Sequence, residues 1–158
     1  MHLALVVLTF VALFTLLTTV SARCYVRSLE APPSELMQAA RLHALCDRLS
    51  SNSLLSEEHP EVAGILRLWQ VLPSRAGSWT DPERQELRLQ MTHACDGSFW
   101  DDETVLRVLL HEVAHAQQGV EHDDALWETE HAFCSCAERA GLLEKDGHVD
   151  DFYPAQLM

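Results

Sequence analysis

An α+β domain is the fold class the sequence predicts, and three observations predict it. Apolar residues recur at three- and four-residue steps from Leu36 to Leu49, from Val62 to Trp69 and from Leu126 to Ala140, the period of helices with one buried face. A further stretch, Val105 to Ala116, is almost wholly apolar and suits a buried helix. Between them Glu86-Leu87-Arg88-Leu89-Gln90-Met91-Thr92 alternates apolar and polar residues, the period of a strand with one face buried.

The elements follow in chain order. Residues 1–22 contain no Asp, Glu, Lys or Arg, and the apolar run from Leu3 to Val20 is long enough for a helix to cross a bilayer at about 1.5 Å per residue. The sequence predicts a retained N-terminal transmembrane anchor over 1–22. Arg23 and Arg27 follow it, and positive flanks tend to stay cytoplasmic, so the rest of the chain is expected on that side. The alternative is a signal peptide cleaved near Ala22, with the small residues Ser21 and Ala22 at the cleavage site, and a secreted protein. Residues 23–33, which include Ala31-Pro32-Pro33, read as a linker to a domain spanning 34–158.

In that domain a helix starts at Ser34, with Leu36, Ala39, Leu42, Leu45 and Leu49 inward, and stops at Ser50-Ser51-Asn52-Ser53. A short helix follows Pro60, a residue suited to a first helical turn, with Val62, Ile65, Leu66 and Trp69 inward. Pro73, Gly77 and Pro82 mark 72–83 as loop. The 86–92 strand is expected near a sheet edge, and Asp96-Gly97 reads as a turn. Asp101-Asp102-Glu103 then places negative charge at the start of the next helix, and Gly119 is suited to ending it. The last helix runs from about Ala125 to Ala140, with Leu126, Trp127, Phe133, Cys134, Ala137 and Ala140 inward. No internal repeat is present.

Composition narrows the function. The chain has 158 residues, with 11 Lys+Arg against 24 Asp+Glu and a formal net charge of −13. A nucleic-acid binder needs a basic face to displace counterions, so no nucleic-acid partner is expected. Docking on anionic lipid through a polybasic patch is disfavoured for the same reason. The hydrophobic share, 47%, is that of a folded domain. The 5 cysteines, Cys24, Cys46, Cys95, Cys134 and Cys136, are odd in number and irregularly spaced, which favours free buried thiols over a disulfide framework. A second zinc site built from His93, Cys95, Cys134 and Cys136 is the alternative.

The apolar helix is interrupted by His111-Glu112-Val113-Ala114-His115. Residues i and i+4 share a helical face, so both imidazoles can reach one ion, while Glu112 projects about 100° away beside it. Zinc held by neutral imidazoles lowers the pKa of bound water, and a neighbouring carboxylate can take its proton; this is the H-E-x-x-H arrangement of zinc hydrolases. Leu109, Leu110, Val113 and Ala114 mark the segment as buried, where two imidazoles and a carboxylate are costly unless something satisfies them. A catalytic zinc usually takes three protein ligands. His122, just beyond the break at Gly119, is the best third ligand. Asp123 and Asp124 in the same loop, or Glu128 and Glu138 on the last helix, are the rivals, with the two aspartates also suited to capping that helix. Glu130 and His131 read as residues of a solvated face. His148 and Tyr153 are candidate oxyanion stabilisers, more readily read as ordinary tail residues.

The stretch Val108-Leu109-Leu110-His111-Glu112-Val113-Ala114-His115, followed by His122 and Trp127, resembles the WLM/SprT-like zinc metallopeptidases, and looks most like their short single-domain forms in large DNA viruses and algae. The resemblance is good over about 84–143 and architectural over 23–83. It implies a small zincin-like α+β domain with helices packed on a short, mostly antiparallel sheet. It also implies zinc on His111, His115 and His122, Glu112 as general base, Trp127 packed under the site, and a protein or peptide substrate added as a strand along 86–92. The negative charge favours basic or neutral substrates and does not suit the DNA-linked role of the repair members. Two other readings stay open, a metal-dependent RNA-processing hydrolase and a membrane-tethered protein that keeps zinc without proteolysis.

Overall fold

In the computed structural model of the chain, residues 33–93 and 98–145 are described. They form five helices and three strands: α1 (Pro33–Ser50), α2 (Ser53–Glu58), α3 (Pro60–Leu68), β1 (Gln70–Ser74), β2 (Trp79–Asp81), β3 (Glu86–Gln90), α4 (Asp102–Gln118) and α5 (Asp124–Arg139). The expected anchor over 1–22, most of the 23–33 linker, Cys24, Cys95, the Asp96-Gly97 turn, His148 and Tyr153 lie outside the described residues. No helix among the described residues is long and apolar enough to cross a membrane.

The helices begin and end where side chains can satisfy their terminal backbone groups. Asn52 accepts from the Leu55 amide at 3.1 Å and starts α2, where the Ser50-Ser51-Asn52-Ser53 run predicts only the end of a helix. Pro60 opens α3. Asp101 caps α4, accepting from the Thr104 amide at 2.7 Å and from its hydroxyl at 2.9 Å. Asp123 caps α5 through the Leu126 amide at 3.0 Å. Such caps satisfy donors that no helical carbonyl reaches.

The three strands form one mixed sheet in the order β1-β3-β2. β3 runs parallel to β1 from Gln70↔Glu86 to Ser74↔Gln90, and antiparallel to β2 from Trp79↔Arg88 to Asp81↔Glu86. This corrects three expectations. The sheet is not mostly antiparallel. The 86–90 strand lies at its centre rather than its edge. The 72–83 segment is not loop throughout, since it contains the end of β1 and all of β2. Pro73, which reads as a strand breaker, sits in β1 at the sheet's margin, where a missing backbone donor is tolerated.

From Gln38 onward the described residues belong to one compact unit. Its core takes Leu42, Leu45 and Leu49 from α1, Leu55 from α2, and Val62 and Leu66 from α3. Leu87, Leu89 and Met91 enter from the β3 segment, as its alternation requires. Val105, Leu106, Leu109, Leu110 and Val113 of α4 are fully buried, and Leu126, Phe133, Cys134, Cys136 and Ala137 of α5 close over them. Leu36 and Ala39, expected inward, are exposed. The buried stripe of α1 runs Gln38, Leu42, Leu45, Leu49, and both residues fall off that face.

Cys46, Cys134 and Cys136 are free, buried thiols, as expected. Burial pushes the Cys46 and Cys134 thiols up to about 12, with the neighbouring Asp47 and Glu130 charges adding to the shift. An unfolded chain ionises these thiols near 9.0 while the folded one keeps them neutral. Their contribution to stability is therefore complete below pH 9 and is lost as pH rises towards 12. The urea midpoint is expected to fall over that window, and a Cys46→Ala/Cys134→Ala variant is expected to show a shallower fall. Equal slopes for the two proteins would exclude the thiols as the cause.

Candidate metal centre

The buried helix α4 carries His111, Glu112 and His115 into the core. Its end is set by Gly119, whose amide bonds back to the His115 carbonyl at 2.9 Å and whose φ of 112° lies in the region that favours glycine. The reversal brings His122 back onto α4. His111, His115 and His122 each offer one ligand atom, and these atoms lie within 4.8 Å of one another. His111 and His115 are buried and His122 is exposed, so the cluster reaches from the core to the surface.

Proton placement within the cluster is decided by what surrounds each ring. The His115 Nδ1 lies 2.8 Å from the Gly119 carbonyl, which can only accept, so its proton sits on Nδ1. The His111 Nδ1 donates at 2.8 Å to Glu130 Oε2. Both Nε2 atoms then turn their lone pairs to the same point, 3.0 Å apart, and the His122 Nε2 lies 3.3 Å from that of His115. Two lone pairs at that distance repel. A cation between the rings converts the repulsion into ligation, so the donor set fits a metal ion, and three imidazoles suit zinc. Burial also pushes the His115 pKa down, keeping the ring in the neutral form that binds metal.

Glu112 is 4% exposed and turns to the sheet. Thr80 in β2 donates its hydroxyl to Glu112 Oε2 at 2.6 Å, and the Thr80 Oγ1 lies 3.0 Å from the Glu112 carbonyl oxygen. Burial pushes the Glu112 carboxyl above the ordinary carboxylate range, against the opposing pull of the Thr80 hydrogen bond. Trp127 flanks the cluster, its ring centroid 6.0 Å from His111 and 5.9 Å from His122. At 40% exposure it is a wall of the site rather than a core residue.

The structure thus brings together the expected His111, His115 and His122, with Glu112 next in sequence and Trp127 alongside. Two of the rivals are occupied elsewhere, since Asp123 caps α5 and Glu138 lies 3.6 Å from the buried Arg107, while Asp124 and Glu128 are exposed and are not grouped with the three histidines. His93 accepts from the Trp100 indole at 3.1 Å, and Cys136 groups with Glu58 and His59 rather than with His93. Two participants are missed by the sequence reading. Thr80 carried no signal, being a lone hydroxyl in a segment read as loop. Glu130 was placed on a solvated face, but it is 3% exposed and holds His111. The signal was present: Glu130 lies four residues after Leu126 and three before Phe133, on the buried stripe of α5.

Compared with known proteins, the chain matches no family model, no curated protein and no solved structure.

Proposed function

We propose that this chain is a zinc-dependent peptidase of zincin-like fold, related in its site to the WLM/SprT-like metallopeptidases. The observation that carries the reading is the convergence of three imidazole Nε2 atoms, two of whose rings are oriented from outside, by Glu130 on His111 and by the Gly119 carbonyl on His115. The described residues bring three ligands to this point, the number that a catalytic zinc uses when it keeps one position for water or substrate.

His111, His115 and His122 would hold the ion. When bound, it supplies an activated water and polarises the scissile carbonyl. Glu112, adjacent to His111 and anchored by Thr80, takes the proton from water and delivers it to the leaving amine. Its raised pKa helps it hold that proton between the two transfers. Thr80 also links this base to the sheet margin, because β2 pairs with β3 on one side only. An extended peptide added along β2 would therefore pass beside Glu112, a role that β3 cannot take from the centre of the sheet.

The test is hydrolysis of an unstructured, basic polypeptide such as a histone-derived peptide. Turnover is expected with zinc, to disappear on chelation, and to return when zinc is restored. Cleavage that persists in the chelated protein would contradict the reading. The same assay run on a short RNA separates the peptidase from the RNA-processing alternative.

A further inference from the structure

A second set of metal-ligating groups lies away from the three histidines. Glu58 ends α2, His59 forms the corner between α2 and α3, and Cys136 comes from α5, yet their ligand atoms lie within 4.8 Å of one another. The three differ in exposure in a graded way: Glu58 is exposed, His59 is half-buried and Cys136 is 0% exposed. The His59 ring is held on both sides, by Glu61 Oε1 at 3.3 Å from its Nδ1 and by the edge-on Phe133 ring at 5.0 Å. Positive charge already gathers here. The Arg139 guanidinium donates to Glu58, and Cys136 and Glu58 together push its pKa up. That guanidinium is solvent-exposed, so it can turn to water without unpacking the helix.

We propose that Glu58, His59 and Cys136 form a second metal site, taking a borderline-to-soft divalent ion such as zinc, in competition with Arg139. A thiolate, an imidazole and a carboxylate are a donor set that zinc accepts, whereas calcium and magnesium require oxygen ligands. Binding costs Cys136 its thiol proton, which passes to solvent. The ion then clips the α2–α3 corner to α5, the helix that also carries Glu130, and the Arg139 side chain turns to water.

Cobalt(II) loading of the full chain tests the proposal, because a thiolate on cobalt gives a charge-transfer absorption in the near ultraviolet that an all-histidine centre cannot give. The band is expected in the wild type. It is expected to vanish, with loss of one equivalent of cobalt, in Cys136→Ser and in His59→Ala, the second being a substitution at a half-buried helix corner, with circular dichroism to establish that both variants are folded. Arg139→Ala is expected to lower the cobalt concentration needed for half-saturation. No charge-transfer band in the wild type, or a band that survives either His59→Ala or Cys136→Ser, overturns the site. Since the band reports sulfur alone, this result is independent of whether the three-histidine centre binds metal.

Discussion

Replacing Glu112 by alanine is expected to leave zinc bound and to slow peptide hydrolysis by at least about a hundredfold, the lower end of what a positioned general base contributes. The carboxylate is not among the three converging ligands, so its removal does not touch the donor set. The structural cost is also small. Thr80 loses Oε2 as an acceptor but keeps the Glu112 carbonyl at 3.0 Å. Burial already disfavours the ionised carboxyl, so deleting it removes a group that is expensive to keep in the core. Zinc content, the thermal midpoint and the turnover rate should therefore separate, with only the last falling. Turnover at the wild-type rate would rule out Glu112 as the base.

Glu130→Gln is expected to weaken zinc binding by about 10–100-fold, the usual effect of removing a partner that orients a ligating histidine. In the native chain the carboxylate accepts from the His111 Nδ1 at 2.8 Å. That places the proton on Nδ1 and leaves Nε2 for the metal. A glutamine of nearly equal volume either accepts more weakly through its oxygen or, turned over, presents an NH2 group that favours the wrong tautomer. Glu128→Gln, an exposed site on the same helix, should leave affinity unchanged. Chelator competition measures both. Equal affinities for Glu130→Gln and the wild type would reduce Glu130 to a packing residue.

Local pattern revealed much of this arrangement. The i, i+4 spacing of His111 and His115 places two imidazoles on one face whatever lies around them, and Gly119 marks the turn that returns His122. Asp123 was legible as a cap, and Asp101 as negative charge at a helix start, because both effects act within the first turn. The features that escaped depend on contacts distant in sequence. β2 is three residues long and exists through its pairing with β3, so it has no period of its own. The place of β3 between β1 and β2 is likewise a property of the sheet, not of the alternation in Leu87 and Leu89. Thr80 reaches Glu112 across 32 positions of chain. Glu130 was legible in principle, since a carboxylate in register with Leu126 and Phe133 is a buried charge in need of a partner.

The central claim is that the three histidines hold a metal ion. Elemental analysis of the full chain beside a His111→Ala/His115→Ala variant, with circular dichroism to establish that both are folded, tests it most directly. The account predicts that the wild type carries one equivalent of zinc more than the variant. Equal zinc contents in the two folded proteins would contradict it, and the peptidase reading would fall with the metal.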